Sequence, residues 1–148
     1  MSYERWLKDH LIKSVVPDRD QITKQLNRAS KDLRTAEVLS SIDRTWSFTI
    51  AYHAMIRAGR AFMYSRGYLP TTLNTHKTIV EFTREALGTQ YGDLILRFDR
   101  MRRKRHDFIY DSKNHTTERE ALTAIRTAQD LIRGIRECLG DEYSNKLI

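Results

Sequence analysis

The chain has 148 residues and a mass of 17.5 kDa, the size of one compact domain that hides roughly 68 to 70% of its unfolded surface on folding. Hydrophobic residues at 40%, charged residues at 30%, and only 6 Gly and 2 Pro exclude collagen-like, low-complexity and disordered chains. Lys and Arg number 26 against 19 Asp and Glu, a net charge of +7 with a pI near 9.7, a balance that suits an anionic partner.

Apolar residues recur at three and four positions, only Pro17 and Pro70 interrupt, and no β-branched run alternates with period 2, so the expected fold class is all-α. An opening helix over residues 3–16, with Trp6, Leu7, Leu11 and Val15 at helical spacing, is expected to stop at Val16-Pro17-Asp18 and to serve as a docking arm. A helix over residues 20–40 follows, with Ile22, Leu26, Ala29, Leu33, Ala36 and Leu39 on one stripe. Asp43 can cap a helix over residues 44–66, whose Ala51, Ala54, Met55, Ala58, Ala61 and Phe62 form a broad stripe of mainly small residues. Gly67 fits the left-handed position just past its end.

Residues 68–74 read as a loop into a short helix over residues 75–87, closed by Gly88. The next helix, residues 93–105, carries Leu94, Ile95, Phe98 and Met101 on one face, and six of the nine residues 97–105 are basic. Residues 111–115 read as a polar loop. Thr117 and Glu120 then have capping-box spacing ahead of Ala121, Ala124, Ile125, Ala128, Leu131, Ile132 and Ile135 in a last helix ending at Gly140. The expected organisation is an arm (1–18), a bundle (19–140) and a tail (141–148).

The longest uncharged stretch, residues 45–56, is 12 residues long and contains His53, short of the ~20 apolar residues a membrane span needs. The first ten residues carry both signs of charge with no apolar core, so no signal peptide is expected. The single Cys138 cannot form an internal disulfide. Together these point to a cytoplasmic protein.

Four segments resemble HEPN domains, the helical family of prokaryotic RNase toxins and nucleotidyltransferase partners. They are residues 33–39 (LRTAEVL), residues 51–58 (AYHAMIRA) with Gly67-Tyr68 closing that helix, His76-Lys77 opening the short helix, and the Arg-rich segment ending in residues 105–111 (RHDFIYD). The resemblance spans about residues 21–139. It implies an up-and-down bundle of four to five helices, here with the N-terminal arm added, that forms a homodimer and places its motif at a shared cleft. Active members carry Arg, four to six residues, then His. Aligned on Arg105, this chain has His106 in the polar slot and Tyr110 where the family has histidine, as in a subgroup with tyrosine there; a second register pairs Arg100 with His106.

Cleavage of RNA through its own 2′-hydroxyl needs a group to take that proton and a cation to meet the charge on phosphorus, neither of which requires a metal. Arg105 can be the cation. His106, with an ordinary pKa near ~6.5, can shuttle a proton, whereas Tyr110 near ~10 needs its pKa lowered by positive neighbours. Arg100, Arg102, Arg103 and Lys104 form the expected RNA- or anion-binding cluster. The competing reading is a solvated basic face, its side chains paired with Asp and Glu of neighbouring helices.

His53 on its small-residue stripe reads as a core or interface histidine, His76 as structural or exposed, and Cys138 as a small packed side chain. No metal-ligand spacing and no phosphate loop is present, so no metal and no cofactor is expected. Three functions remain open. The first is an RNA-binding protein or metal-independent endoribonuclease of a toxin–antitoxin or defence-type system. The second is an inactive helical partner of a nucleotidyltransferase, and the third a nucleotide or small-ligand sensor.

Overall fold

The computed structural model describes residues 2–110 and 115–140, with side chains over 3–105 and 115–140. Side-chain caps set where its long helices begin. Asp18 accepts hydrogen bonds from the backbone N–H groups of Asp20 and Gln21 and starts α2 (Arg19–Leu39); Asp43 accepts from Trp46 and starts α3 (Arg44–Ser65). Glu118–Leu139 opens on the full capping box of Thr117 and Glu120. It is the last of the bundle helices, α6, after α4 (Thr75–Leu87) and α5 (Gly92–Tyr110). Such caps satisfy amide donors that a helix start otherwise leaves without acceptors.

α3 lies at the centre, packed by α2, α4, α5 and α6. Its buried residues run from Ser47 to Met63 on nearly every side, as a helix surrounded by others requires. Small residues permit this. A Cβ on Gly59 would stand 2.6 Å from Ile79 Cγ2 and 3.1 Å from Thr83 Oγ1, so α3 and α4 meet where no side chain fits. The result is an all-α helical bundle, and among the described residues no helix is long and apolar enough to cross a membrane.

The opening segment departs from the expected helix over residues 3–16. α1 covers only Ser2–Lys8, because His10 takes a left-handed conformation (φ 58°) and the Leu11 N–H bonds back to the Trp6 carbonyl, a closure that glycine usually provides. Ile12–Ser14 then forms a strand, β1, antiparallel to β2 (Tyr68–Pro70), in the stretch expected to be loop. The register pairs Lys13 with Leu69, and Val15 N–H to Gly67 carbonyl extends it. Gly67 adopts φ +87° there, as expected of the residue after α3. Tyr3 stacks on Phe82 with ring centres 4.8 Å apart, and Trp6 packs on the same ring at 6.0 Å. The segment read as a docking arm thus packs on its own bundle.

α5 runs to Tyr110, five residues beyond the expected end. The expected loop falls mostly, and the tail wholly, outside the described residues. Cys138 is exposed rather than packed, since the buried stripe of α6 ends at Ile135, and Arg66 Nη2 lies 3.5 Å from its sulfur.

Candidate functional site

Three bundle helices bring polar groups together around Tyr52. This residue sits on the buried face of α3 and is fully enclosed, so its hydroxyl needs a partner from within the fold. The partner is His76 in the first turn of α4, whose Nδ1 lies 2.9 Å from the Tyr52 oxygen. On α5, Phe98, Arg102 and Arg105 are spaced by four and three and share a face. The Phe98 ring lies 6.2 Å from that of Tyr52, and the Arg105 guanidinium carbon stands 5.6 Å from the Tyr52 ring centre, within cation–π range. His53 completes the group, its ring 6.0 Å from Tyr52 and 6.5 Å from His76, at 89° to the latter.

The charges of the site follow from burial and from Arg105. Burial pushes the Tyr52 phenol far above its ordinary value, and the positive Arg105 and Arg102 only partly oppose this, so Tyr52 stays protonated. Burial also lowers the pKa of His53, as do Arg105 and Arg57, against an upward pull from Asp32. His76 is lowered by burial, then by Arg105, His53 and Arg102. Both imidazoles are therefore neutral at pH 7 and sit in a positive field.

The basic run of α5 divides sharply. One carboxylate, Asp99, holds both Arg102 and Arg103 at 2.9 Å; Lys104 pairs with Glu120 of α6, and Arg97 reaches Asp130 of α6 at 3.8 Å. Arg100 and Arg105 carry no ion pair among the described residues. Arg100 is exposed beside a cavity of about 310 Å³ between α5 and α6, away from the Tyr52 cluster. Arg105 is half-buried, and its Nε is enclosed without a hydrogen-bond partner among the described residues. His106 and Tyr110 lie on the last turns of α5, where side chains fall outside the described residues.

His53 also lines a groove of about 730 Å³ between α2 and α3 with Gln25, Arg28, Asp32, Arg57 and Arg60. Asp32 accepts from Arg28 at 3.1 Å and from Arg57 at 3.3 Å, while Arg57 also donates to Gln25 at 2.8 Å. Among the described residues no three His, Cys, Asp or Glu side chains converge as ligands for a metal ion.

The HEPN domain family matches residues 22–138 of this sequence, the stretch from the first buried residue of α2 to the last turn of α6. The chain belongs to the HEPN domain family. No curated protein and no solved structure matches it. Membership supports a general reading as an RNase or a toxin- or defence-type module.

Within this HEPN domain, Arg105 and Arg102 are the expected site residues with described side chains that lie beside the polar cluster, Arg102 held there by Asp99. Tyr52, His53 and His76 are the additions. They lie on two other helices, 24 residues apart at most, and match no ligand or nucleophile motif. The available signal was a Tyr-His pair on an otherwise small, apolar stripe, which forces polar groups into a packed face.

Proposed function

We propose that this HEPN domain binds RNA and cleaves it without a metal ion, with Arg105 as the cation that meets the phosphate. The observation that carries the reading is the half-buried Arg105 guanidinium, without a carboxylate partner among the described residues, beside two neutral imidazoles. A cation withdrawn from water without a counter-charge is costly, and a phosphate diester offsets that cost. A neutral imidazole beside the cation supplies a proton acceptor, and family membership supports the class of reaction.

In this reading the domain acts as a homodimer with residues 97–110 in the interface, so that two Arg105 sites face one strand. Arg100, Arg102, Arg103 and Lys104 then hold phosphates along the strand, the last three by exchanging Asp99 or Glu120 for a phosphate oxygen. Such a protein serves as the effector of a toxin–antitoxin or defence-type system.

Fluorescence anisotropy with a labelled single-stranded RNA tests the binding half. The reading expects affinity that falls steeply as salt rises from 50 to 200 mM and at least about tenfold weaker binding for Arg105→Ala, the effect of losing about 1.4 kcal/mol. Equal binding by the two proteins contradicts it.

A further inference from the structure

We propose that His53 carries the proton in RNA cleavage at the Arg105 site, while the Tyr52–His76 pair acts as a fixed hydrogen-bond donor beside it. The inference rests on the ribonuclease reading above and assigns that reading's proton chemistry to residues outside the α5 motif.

The two histidines are not equivalent. Tyr52 is fully buried and stays protonated, and its hydroxyl has no other hydrogen-bond acceptor among the described residues, so its proton is assigned to the 2.9 Å contact and His76 Nδ1 accepts. A neutral imidazole whose Nδ1 accepts carries its hydrogen on Nε2. That ring has no spare lone pair with which to take a proton, but it can donate Nε2–H to a phosphate oxygen. Tyr52, enclosed and touching no substrate, is a positioning residue that fixes the tautomer of His76.

His53 has the complementary state. It makes no hydrogen bond among the described residues, so a ring nitrogen is open to accept. It also lines the groove between α2 and α3, so the half-buried ring is reachable from outside the fold. The charged and titratable groups that act on it are Arg105 of α5, Asp32 of α2 and Arg57 of its own helix, with His76 of α4 6.5 Å away. Those acting on His76 are Arg105 and Arg102 of α5 and His53 of α3. Burial first, and the positive neighbours after it, hold both rings neutral at pH 7.

The step balances without a metal or a co-reactant. His53 takes the proton of the 2′-hydroxyl, and the 2′-oxygen bonds to phosphorus as the bond to the 5′-oxygen breaks. Arg105 and the His76 Nε2–H stabilise the charge on the non-bridging oxygens. The His53 imidazolium then returns its proton to the departing 5′-oxygen. The products are a 2′,3′-cyclic phosphate end and a 5′-hydroxyl end.

The test is cleavage of a labelled single-stranded RNA by the full chain in chelator, across pH 4.5 to 8.5, for wild type, Arg105→Ala, His53→Gln, His76→Gln, His76→Ala and Tyr52→Phe. His53→Gln is expected to lose at least about 100-fold in kcat while binding RNA within twofold of wild type, and its residual rate loses the acid limb that wild type shows below pH 6.5. His76→Gln, which keeps an N–H donor, is expected to retain more activity than His76→Ala. Tyr52→Phe lowers kcat and leaves the acid limb in place. If His53→Gln does not fold, NMR titration of labelled His53 in wild type replaces it: a midpoint that coincides with the kinetic limb supports the assignment, and a separate midpoint overturns it. His53→Gln cleaving at the wild-type rate with its acid limb intact overturns this inference and leaves the ribonuclease reading standing. Wild type no more active than Arg105→Ala overturns both.

Discussion

The Tyr52 hydroxyl and His76 Nδ1, 2.9 Å apart, tie the centre of α3 to the first turn of α4. Burial leaves the Tyr52 hydroxyl dependent on His76, because it finds no bulk water to replace that partner. The same contact carries stability and the state of the site. Arg105, 5.6 Å from the ring of that tyrosine, couples α5 to both.

Tyr52→Phe leaves the His76 nitrogen without its donor. The expected loss is about 1–2 kcal/mol of stability, the cost of an unmade hydrogen bond at a half-buried group. Urea denaturation checks this through a lower midpoint at an unchanged m-value. An unchanged midpoint contradicts the contact.

Lowered histidine pKa values make stability depend on pH in one direction. His53 and His76 both have folded-state values below 6.5, so below pH 6.5 the unfolded chain binds more protons than the folded one. The stabilisation is complete above that pH and is lost as pH falls through the lowered folded values. The Tm of wild type is expected to drop between pH 7.5 and 5.0 by more than that of His53→Gln/His76→Gln. Equal drops by differential scanning fluorimetry contradict the shifts.

Gly59→Ala tests the packing that places His76. Its Cβ would meet Ile79 Cγ2 at 2.6 Å, so α4 must move off α3, at about 1–3 kcal/mol for overpacking. Weaker RNA binding is expected with the lower stability, because the same movement separates His76 from Tyr52. A melting temperature equal to wild type contradicts the close approach.

Thr117→Ala removes one half of the α6 capping box, in which Thr117 Oγ1 accepts from Glu120 N–H at 3.1 Å and Glu120 accepts from Thr117 N–H at 3.0 Å. The expected loss is about 1 kcal/mol. Chemical denaturation reads it, and no change in midpoint argues against the cap.

How much of this was legible in the sequence depends on whether local chemistry decided the outcome. α4 has the expected bounds and α6 the expected capping box, because periodic apolar residues, caps and a following glycine agree at those positions. β1 and β2 escaped because three-residue strands leave almost no alternation to read, and the pairing of Lys13 with Leu69 is a tertiary event. The early end of α1 escaped because His10 takes the left-handed turn at a place where no glycine marks it. At the site, Arg105 was legible through the resemblance. The ion pairs that set it apart from Arg102, Arg103 and Lys104 were not, since Glu120 approaches Lys104 only once α6 packs on α5. Tyr52, His53 and His76 meet through helix packing alone.

The account stands or falls on metal-free cleavage of RNA by the purified chain in excess chelator, with Arg105→Ala prepared and assayed in parallel. It predicts that wild type cuts a single-stranded RNA into fragments with 2′,3′-cyclic phosphate ends and that Arg105→Ala loses this activity. Intact RNA with wild type, or the same fragments at the same rate with Arg105→Ala, contradicts it.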